Sequence, residues 1–279
     1  MAYKISVIGG INLDIGGRPS ESLRLRDSNI GTISRSAGGV GFNIAKNLAE
    51  KGTAVSLVSA LGDDSDGGTL MLAARAAGID ITDTLVTGSL PTSRYLYVTD
   101  ENGDMYTAVN DMRVTELITP EYLRDKMSEI NRSDALVADA NLRRDTLEYI
   151  AKRAKIPIYA DSVSVAKCLK LKGLALRAIK PNMAEAEKLT GRDTPEEAAK
   201  ALLESGIGRV FISLGTDGMY AAEVGNSCRV PCPEVVSGNT NGAGDAATAA
   251  IILADLDGKG LEETARAAVE AAAQAVALQ

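Results

Sequence analysis

The chain has 279 residues, of which 45% are hydrophobic and 24% are charged, so it is long enough for one large globular domain and does not have the composition of a disordered protein. Its net charge of -7 argues against a nucleic-acid partner and against an anionic membrane partner. No apolar stretch reaches the roughly 20 residues that a membrane-spanning helix needs. The N-terminus lacks a signal-peptide pattern, and the three cysteines form no disulfide framework. We therefore expect a cytoplasmic protein.

The chain contains no histidine. This absence excludes catalytic triads that use histidine as the base and metal sites with histidine ligands. A general base in this protein must therefore be a carboxylate or a Lys, Tyr or Cys side chain.

Short apolar runs alternate with amphipathic segments, a pattern typical of βαβ units around a mostly parallel sheet. The predicted strands are Tyr3–Ile11, Ala54–Ala60, Ala135–Asp139, Ile158–Ala160, Ala178–Lys180 and Arg209–Leu214. The predicted helices are Gly41–Lys51, Gly67–Ala77, Pro120–Ile130, Asp145–Ala154, Ala184–Thr190, Pro195–Ser205, Ala243–Ala254 and Leu261–Ala277. This order of elements predicts the α/β fold class, with residues 1–279 as one domain because no linker divides the chain.

Two regions interrupt this alternation. Residues 12–37 contain Gly16-Gly17 and a charged stretch but no long apolar run. Residues 85–114 contain two short alternating strands, Ser93–Val98 and Met105–Asn110, on either side of a turn. Such strands form either a lid or oligomer contact, or two plain surface hairpins, and the pattern alone does not distinguish these structures.

The strongest local signal is the glycine-rich segment Gly238–Asp245, which precedes a helix of small residues. A glycine-rich turn that opens a helix presents unpaired N–H groups at the positive end of the helix dipole, where they stabilise a transferring phosphoryl group. Asp245 would lie in the first helical turn beside that anion site, where it can take a proton from an attacking hydroxyl. The alternative is an ordinary helix start in which Asp245 only complements the dipole.

Two further segments have the composition of an acceptor site. Gly38, Gly39 and Gly41 allow the backbone to approach a ligand, and Asn43 follows one turn into the next helix. The segment matches neither a dinucleotide fingerprint nor a P-loop. Asn12 and Asp14 follow the first strand, where polar side chains can bind sugar hydroxyls. A close strand–helix turn is the alternative interpretation of these segments.

The segment Lys180–Glu185 follows an apolar run and starts a helix with Pro181. Asn182 and Glu185 share one face near its N-terminus, and their oxygens suit a Mg²⁺ ion bound through water. The same spacing also fits a capping box without any metal. Ser213–Gly218 then forms a strand end with a glycine turn, the position at which open α/β sheets bind nucleotides.

Together and in order, these segments resemble the PfkB/ribokinase family over essentially the whole chain. The family pattern consists of an aspartate after the first strand, GG-x-x-x-N, K-P-N-x-x-E, T-L-G-x-x-G and G-A-G-D. In this sequence the corresponding segments are Asp14, Gly38–Asn43, Lys180–Glu185, Ser213–Gly218 and Gly242–Asp245.

The resemblance implies a ribokinase-like three-layer α/β/α sandwich with a small β-stranded lid built from residues 12–37 and 85–114. It also implies phosphoryl transfer from MgATP to a hydroxyl of a sugar or nucleoside. Asp245 is the expected base, and the backbone of Gly242, Ala243 and Gly244 is the expected anion hole. In many members two lids pack together, so a homodimer is expected.

Within the family, four stretches resemble those of pseudouridine kinases. They are Asp27–Gly31, Ala108–Met112, Ala138–Asn141 and Asp161–Lys167. The implied acceptor is pseudouridine, phosphorylated on its 5′-hydroxyl. The acceptor residues implied are Asn12, Asp14, Asp27, Gly38, Gly39, Asn43 and Asn110. The ATP-binding residues implied are Lys167, Asn182, Ser213, Gly215 and Gly218, with Glu185 binding the metal through water.

The sequence departs from the family pattern at three positions. Phe42 replaces a basic residue expected in pseudouridine kinases, so its role in the base pocket stays open. Asn239 and Asn241 replace the usual Asp and Thr, which leaves a monovalent-cation requirement open.

Two alternative functions remain at this stage. One is a PfkB kinase for ribose, adenosine or a phosphorylated sugar, whose phosphate would need a basic lid pocket. Arginines are available in the lid segments at positions 18, 24, 26, 35, 94 and 113. The other is a binding module on an inactive kinase scaffold, which the retained Asp245, Gly242 and Gly244 argue against.

Overall fold

The structure, a computed structural model, describes residues 2–233 and 242–277. Its strands are β1 (Lys4–Ile8), β2 (Asn12–Pro19), β3 (Gly31–Gly38), β4 (Ala54–Val58), β5 (Ala60–Gly62), β6 (Ile79–Asp80), β7 (Leu85–Thr87), β8 (Arg94–Thr99), β9 (Met105–Asp111), β10 (Ala135–Asp139), β11 (Ile158–Asp161), β12 (Ala178–Lys180), β13 (Arg209–Ser213), β14 (Met219–Glu223) and β15 (Asn226–Val230). Its helices are α1 (Val40–Glu50), α2 (Ser65–Ala76), α3 (Pro120–Arg124), α4 (Met127–Ile130), α5 (Arg144–Arg153), α6 (Met183–Thr190), α7 (Pro195–Glu204), α8 (Ala243–Leu256) and α9 (Leu261–Ala277).

Within these residues, nine strands form the large sheet in the order β15-β14-β13-β12-β11-β10-β1-β4-β6. The pairs from β13 to β6 are parallel, whereas β14 and β15 extend one edge as an antiparallel pair. The carboxyl ends of β1, β10, β11 and β12 therefore meet at one edge of the sheet, which is where α/β proteins bind ligands.

Helices cover both faces of the large sheet. One hydrophobic core lies between the sheet and α1, α2, α8 and α9, and the other lies between the sheet and α3 to α7. Because both faces are buried, the central strands are nearly continuous apolar runs rather than alternating patterns. This arrangement confirms the predicted α/β class and its mostly parallel sheet. No helix of residues 2–233 or 242–277 is long and apolar enough to span a membrane.

A second, smaller sheet contains β2, β3, β8 and β9, in the order β3-β2-β8-β9. The two irregular regions of the sequence therefore do not form two separate hairpins, because β2 pairs with β8 in parallel and joins them. The small sheet is connected to the helical layer by Asp66, a buried residue in the first turn of α2. Asp66 forms ion pairs with Arg35 of β3 and Arg94 of β8.

The structure differs from the predicted elements in a few places. The predicted helix Pro120–Ile130 is two short helices, α3 and α4, which are separated by Asp125 and Lys126. The sequence analysis did not predict β14 and β15. These strands form an antiparallel edge in which β14 is buried at its first four residues, whereas β15 is mostly exposed and has no apolar run.

Candidate active site

The N-terminus of α8 carries the predicted anion hole and base. Gly242 precedes α8 with a φ of 76°, and among the described residues no side chain caps this helix. The first N–H groups of a helix have no partner within it, and they lie at the positive end of the dipole. The structure therefore brings the backbone of Gly242, Ala243 and Gly244 together with Asp245, which lies in the first turn and is buried.

The carboxylate of Asp245 is hydrogen-bonded to a side chain of the neighbouring helix α1. Asn43 Nδ2 donates a hydrogen bond of 2.9 Å to Asp245 Oδ2. The pKa of Asp245 is raised to about 8. Burial is the largest cause and the negative charge of Asp161 adds to it, whereas the Asn43 hydrogen bond and the Lys180 ammonium oppose the rise. A carboxyl group whose pKa lies close to the working pH is suited to general base catalysis.

Three charged residues at the ends of adjacent strands influence this carboxyl group electrostatically. Asp139, Asp161 and Lys180 end β10, β11 and β12, and all three are buried. Asp161 Oδ2 accepts a hydrogen bond of 2.9 Å from Thr248 Oγ1 of α8 and lies 3.6 Å from Lys180 Nζ. Lys180 Nζ also lies close to Gly244 of the predicted anion hole, since a Cβ added at Gly244 would lie 3.3 Å from it.

Sequence reasoning did not assign a role to these three residues. The sequence contains a feature that could have identified them, namely a charged residue at the end of each of three apolar strand segments. Neighbouring parallel strands that end in this way place their charges at one edge of the sheet. Asp139 has a structural role, since its carboxylate accepts hydrogen bonds from the backbone N–H groups of Gly10, Gly41 and Asn141. It thereby connects the ends of β1 and β10 to the start of α1. Burial raises the pKa of Asp139.

Asn12 and Asp14 form a second polar group at the start of β2. Asn12 Nδ2 donates to Asp14 Oδ1 at 2.5 Å, and burial raises the pKa of Asp14. Two successive positions at the end of β3 and the start of α1 require glycine beside these side chains. A Cβ at Gly38 would lie 2.1 Å from Asp14 Oδ2, and Gly39 has a φ of 101°. Because Gly39 directly precedes α1, the structure brings Asn12, Asp14, Gly38 and Gly39 close to the helix that carries Asn43.

The two remaining acceptor residues lie farther out on the small sheet. Asn110 is exposed on β9, in the cross-strand row that runs from Asp14 through Tyr95 to Asn110. Residues paired in register have their side chains on the same face of a sheet, so Asn110 shares a face with Asp14. Asp27 lies in the exposed loop between β2 and β3, where its carboxylate accepts from the N–H of Ser28. Among residues 2–233 and 242–277, the hydrogen bonds of Asp27 are to Ser28 and Asn29, and none joins it to another predicted acceptor residue.

Phe42 is not part of the acceptor site. Its side chain is 3% exposed and belongs to the hydrophobic core between the large sheet and α1. No ring face is left for a ligand to contact. A role for Phe42 in the base pocket, which the sequence analysis left open, is therefore not supported.

Lys167 and Glu185 occupy the edge of the large sheet near β11 and β12. Lys167 Nζ donates to Asn141 Oδ1 at 2.7 Å, and burial lowers its pKa. Glu185 and Asn182 form a complete capping box at the start of α6. Glu185 Oε2 additionally accepts a 2.6 Å hydrogen bond from Ser162 Oγ. The capping interpretation of this segment is therefore realised, and a metal-binding role for Glu185 stays a prediction.

Ser213 and the glycines that follow it border the same edge. Ser213 N donates to the carbonyl of Pro181 at 3.0 Å, so the end of β13 lies beside Asn182. Gly215 and Gly218 have φ values of 63° and 86° around a single 3-10 turn. The predicted ATP-binding residues are thus neighbours along one edge. Asn239 and Asn241 lie outside the described residues.

Residues 2–278 match the sequence family described as pfkB family carbohydrate kinase. The chain therefore belongs to the pfkB family of carbohydrate kinases. As a pfkB kinase it is a phosphotransferase that acts on a hydroxyl group, and ATP is the donor that enzymes of this family use.

Known relatives cover nearly the whole pfkB kinase chain. A pseudouridine kinase from Escherichia coli (strain K12) is 35% identical over 273 residues, which are 94% of this chain and 87% of that protein. The solved structure of a carbohydrate kinase from Agrobacterium tumefaciens is 31% identical with a TM-score of 0.86, covering 98% of this chain and 90% of that one. A ribokinase structure from Arabidopsis thaliana, described as complexed with ribose and ATP, has a TM-score of 0.84 at 23% identity. The similarity covers 99% of this chain and 93% of that one. At that identity the last similarity establishes the fold alone, which is the predicted ribokinase-like one.

Proposed function

We propose that this pfkB kinase phosphorylates the 5′-hydroxyl of pseudouridine. The observation that carries the chemistry is the buried Asp245 carboxyl, which lies in the first turn of α8 and is held by Asn43. The acceptor assignment is supported by the 35% identity to a pseudouridine kinase over 94% of the chain. It is also supported by the stretches Asp27–Gly31, Ala108–Met112 and Asp161–Lys167, which resemble that group of kinases.

In the proposed reaction, Asp245 accepts the proton of the acceptor hydroxyl as its oxygen attacks the γ-phosphorus of ATP. A bond forms between the hydroxyl oxygen and phosphorus, and the bond from phosphorus to the β–γ bridging oxygen breaks, releasing ADP. The N–H groups of Gly242, Ala243 and Gly244 stabilise the charge on the transferring phosphoryl group. Lys180 Nζ lies close to Gly244 and adds positive charge there.

The residues present fit a Mg²⁺ ion that is held mainly by the phosphates of ATP and by water. Among residues 2–233 and 242–277, no three acidic or thiol side chains are grouped as a metal cage. Mg²⁺ usually keeps several waters and uses one or two carboxylates. Glu185 is a buried carboxylate in the same helix start as the predicted ATP-binding Asn182, and it is the one that we propose binds the ion through water. The bound ion would supply charge neutralisation between the phosphates.

The nature of the acceptor residues supports a nucleoside whose base presents an extra donor. Pseudouridine is linked through carbon, so its ring has an N–H that uridine lacks. A site that accepts a hydrogen bond from this group rejects uridine, because its own acceptor would then be left unpaired. Asn110 has such an acceptor oxygen, and it shares a face with Asp14.

A phosphorylated sugar is less well supported as the acceptor, because Arg35, Arg94 and Arg113, three of the six arginines in the lid segments, already pair with carboxylates. Arg35 and Arg94 both pair with Asp66, and Arg113 makes two hydrogen bonds to the carboxylate of Asp111. Guanidinium groups that are neutralised in this way are poor binding groups for a sugar phosphate.

The small sheet also carries the features of a lid that forms a dimer. Ile33, Leu96 and Val109 are 79%, 48% and 67% exposed, and they lie on three of its strands. Leu96 and Val109 are paired in register, so they share a face opposite to that of Tyr95 and Asn110. We propose that this exposed apolar face packs against the same face of a second copy of the chain.

The test of the acceptor is ADP release with ATP, Mg²⁺ and a panel of pseudouridine, uridine, adenosine and ribose. We expect the highest kcat/KM for pseudouridine, with the product identified as the 5′-phosphate by phosphorus NMR. A higher kcat/KM for any other acceptor would show that the substrate assignment is wrong, and membership of the kinase family would be unaffected.

A further inference from the structure

The face of the small sheet that carries Asp14 and Asn110 also carries two tyrosines. Tyr95 of β8 is paired in register with Asp14 of β2 on one side and with Asn110 of β9 on the other. Tyr97 follows two residues later on the same face. Both rings are half-buried, so each keeps a surface that a ligand can contact.

The two rings form a fixed pair. Their centroids are 5.7 Å apart at an angle of 33°. The Tyr97 ring lies across Gly16, where an added Cβ would lie 2.6 Å from the ring, so only glycine allows this approach. The Tyr95 hydroxyl donates to Met105 Sδ at 3.2 Å, which holds the ring along the sheet.

Among the residues that the structure describes, Tyr95 is the one aromatic residue that is paired with two predicted acceptor residues and also keeps an accessible ring. The chain has no tryptophan and two phenylalanines, and both Phe42 and Phe211 are buried in the core. The tyrosines of the small sheet are Tyr95, Tyr97 and Tyr106, and Tyr95 is the one that is paired with both Asp14 and Asn110. Burial raises the pKa of Tyr95, and the nearby charge of Asp14 raises it further.

We infer that Tyr95 provides the aromatic face against which the base of the acceptor nucleoside packs, and that it sets the preference for a nucleoside over a free sugar. This inference rests on the proposed nucleoside kinase function. Asn12 and Asp14 hold the sugar at the inner end of the small sheet, and the base then extends along the row towards Asn110. Every base has an apolar π-face, so an aromatic ring adds affinity for nucleosides that ribose alone does not gain.

The test compares Tyr95→Leu, Tyr95→Phe and the wild type with pseudouridine and with ribose as acceptors. Loss of a base–aromatic contact lowers affinity by roughly 5- to 150-fold. We expect Tyr95→Leu to lower kcat/KM for pseudouridine by about that factor through KM, with kcat and any activity on ribose unchanged. Tyr95→Phe keeps the ring and should restore most of the loss. Tyr149→Leu, a half-buried tyrosine of α5, is the matched control.

The outcomes separate this inference from the proposed function. If the wild type prefers pseudouridine but Tyr95→Leu leaves KM unchanged, or lowers kcat/KM equally for ribose, only the role of Tyr95 is wrong. If the wild type phosphorylates no nucleoside, both proposals are wrong. A thermal unfolding curve for each variant shows whether an observed loss reflects the site or the fold.

Discussion

Asn43 and Asp245 are 202 residues apart in the sequence, yet the amide of Asn43 donates a 2.9 Å hydrogen bond to the carboxylate of Asp245. The bond joins the first turns of α1 and α8, whose preceding glycine segments are predicted to approach the acceptor and the phosphoryl group, respectively. The proposed base is therefore oriented by the helix that follows the acceptor segment. The role of Asp245 can therefore be tested by substitutions in α8, which carries it, and in α1, which carries Asn43.

Asp245→Asn should nearly abolish turnover and leave ATP binding intact. The chain has no histidine to replace this carboxylate, and a positioned general base contributes about 10²- to 10⁴-fold. The measurement is kcat by ADP release, together with ATP affinity by calorimetry. Asp257→Asn, at the exposed C-terminal end of the same helix, is the control. A variant that retained more than about half of the wild-type kcat would exclude Asp245 as the base.

The pH dependence of kcat/KM should follow the ionisation of Asp245 in the free enzyme. Burial raises the pKa of this group to about 8, so it is mostly protonated at pH 6.5 and cannot accept a proton there. We expect kcat/KM to rise about tenfold per pH unit below pH 8 and to level off above it. A profile that is flat from pH 6.5 to 9 would contradict the raised pKa as the control of the rate.

Asn43→Ala should shift that pH profile to higher pH. The hydrogen bond from Asn43 stabilises the ionised carboxylate and so lowers the pKa of Asp245. Without that bond, the rise in pKa that burial causes is less strongly opposed. We expect a higher apparent pKa in kcat/KM as well as a lower rate at pH 7. Asn47→Ala, one turn later on α1, removes only a hydrogen bond to the carbonyl of Asn43 and serves as the matched control. Equal profiles for the two variants would remove Asn43 from this role.

Asp14→Ala should weaken use of the acceptor and leave the KM for ATP unchanged. Its carboxylate is half-buried beside Gly38 and accepts from Asn12, so truncation leaves a buried amide without its partner. We expect a loss of about 1–3 kcal/mol in kcat/KM for the acceptor. Asp104→Ala, an exposed aspartate in a turn of the same sheet, is the control. An unchanged kcat/KM would show that the sugar is held elsewhere.

Val109→Lys should disrupt the proposed dimer. Val109 is 67% exposed on the apolar face of the small sheet, and burying a lysine in a self-associating face leaves an unpaired charge. The measurement is the molar mass by light scattering across a concentration series. Val224→Lys introduces the same change at a residue that is 87% exposed in the β14–β15 turn. A wild type that stays monomeric at high concentration, or a Val109→Lys variant that stays dimeric, would contradict a dimer through this face.

The sequence by itself determined the features that depend on local spacing. The apolar runs of β10 and β12 were predicted with the bounds that the structure has, since a strand buried on both faces must be apolar throughout. The capping box of Asn182 and Glu185 was predicted as an alternative from a three-residue spacing, and the structure contains it. Asp245 was expected in the first turn of α8 because a glycine-rich turn precedes it.

The tertiary structure alone decided which of these local features meet. The cluster of Asp139, Asp161 and Lys180 depends on β10, β11 and β12 being neighbours in the sheet, and strand order is a long-range property that no local pattern encodes. The joining of two irregular regions into one small sheet depends in the same way on the β2–β8 pairing. Phe42 lies in the core rather than in a pocket for the nucleoside base. The rotation of α1 against the sheet, and not the position of Phe42 in a sequence motif, determines which side chains of the helix are buried.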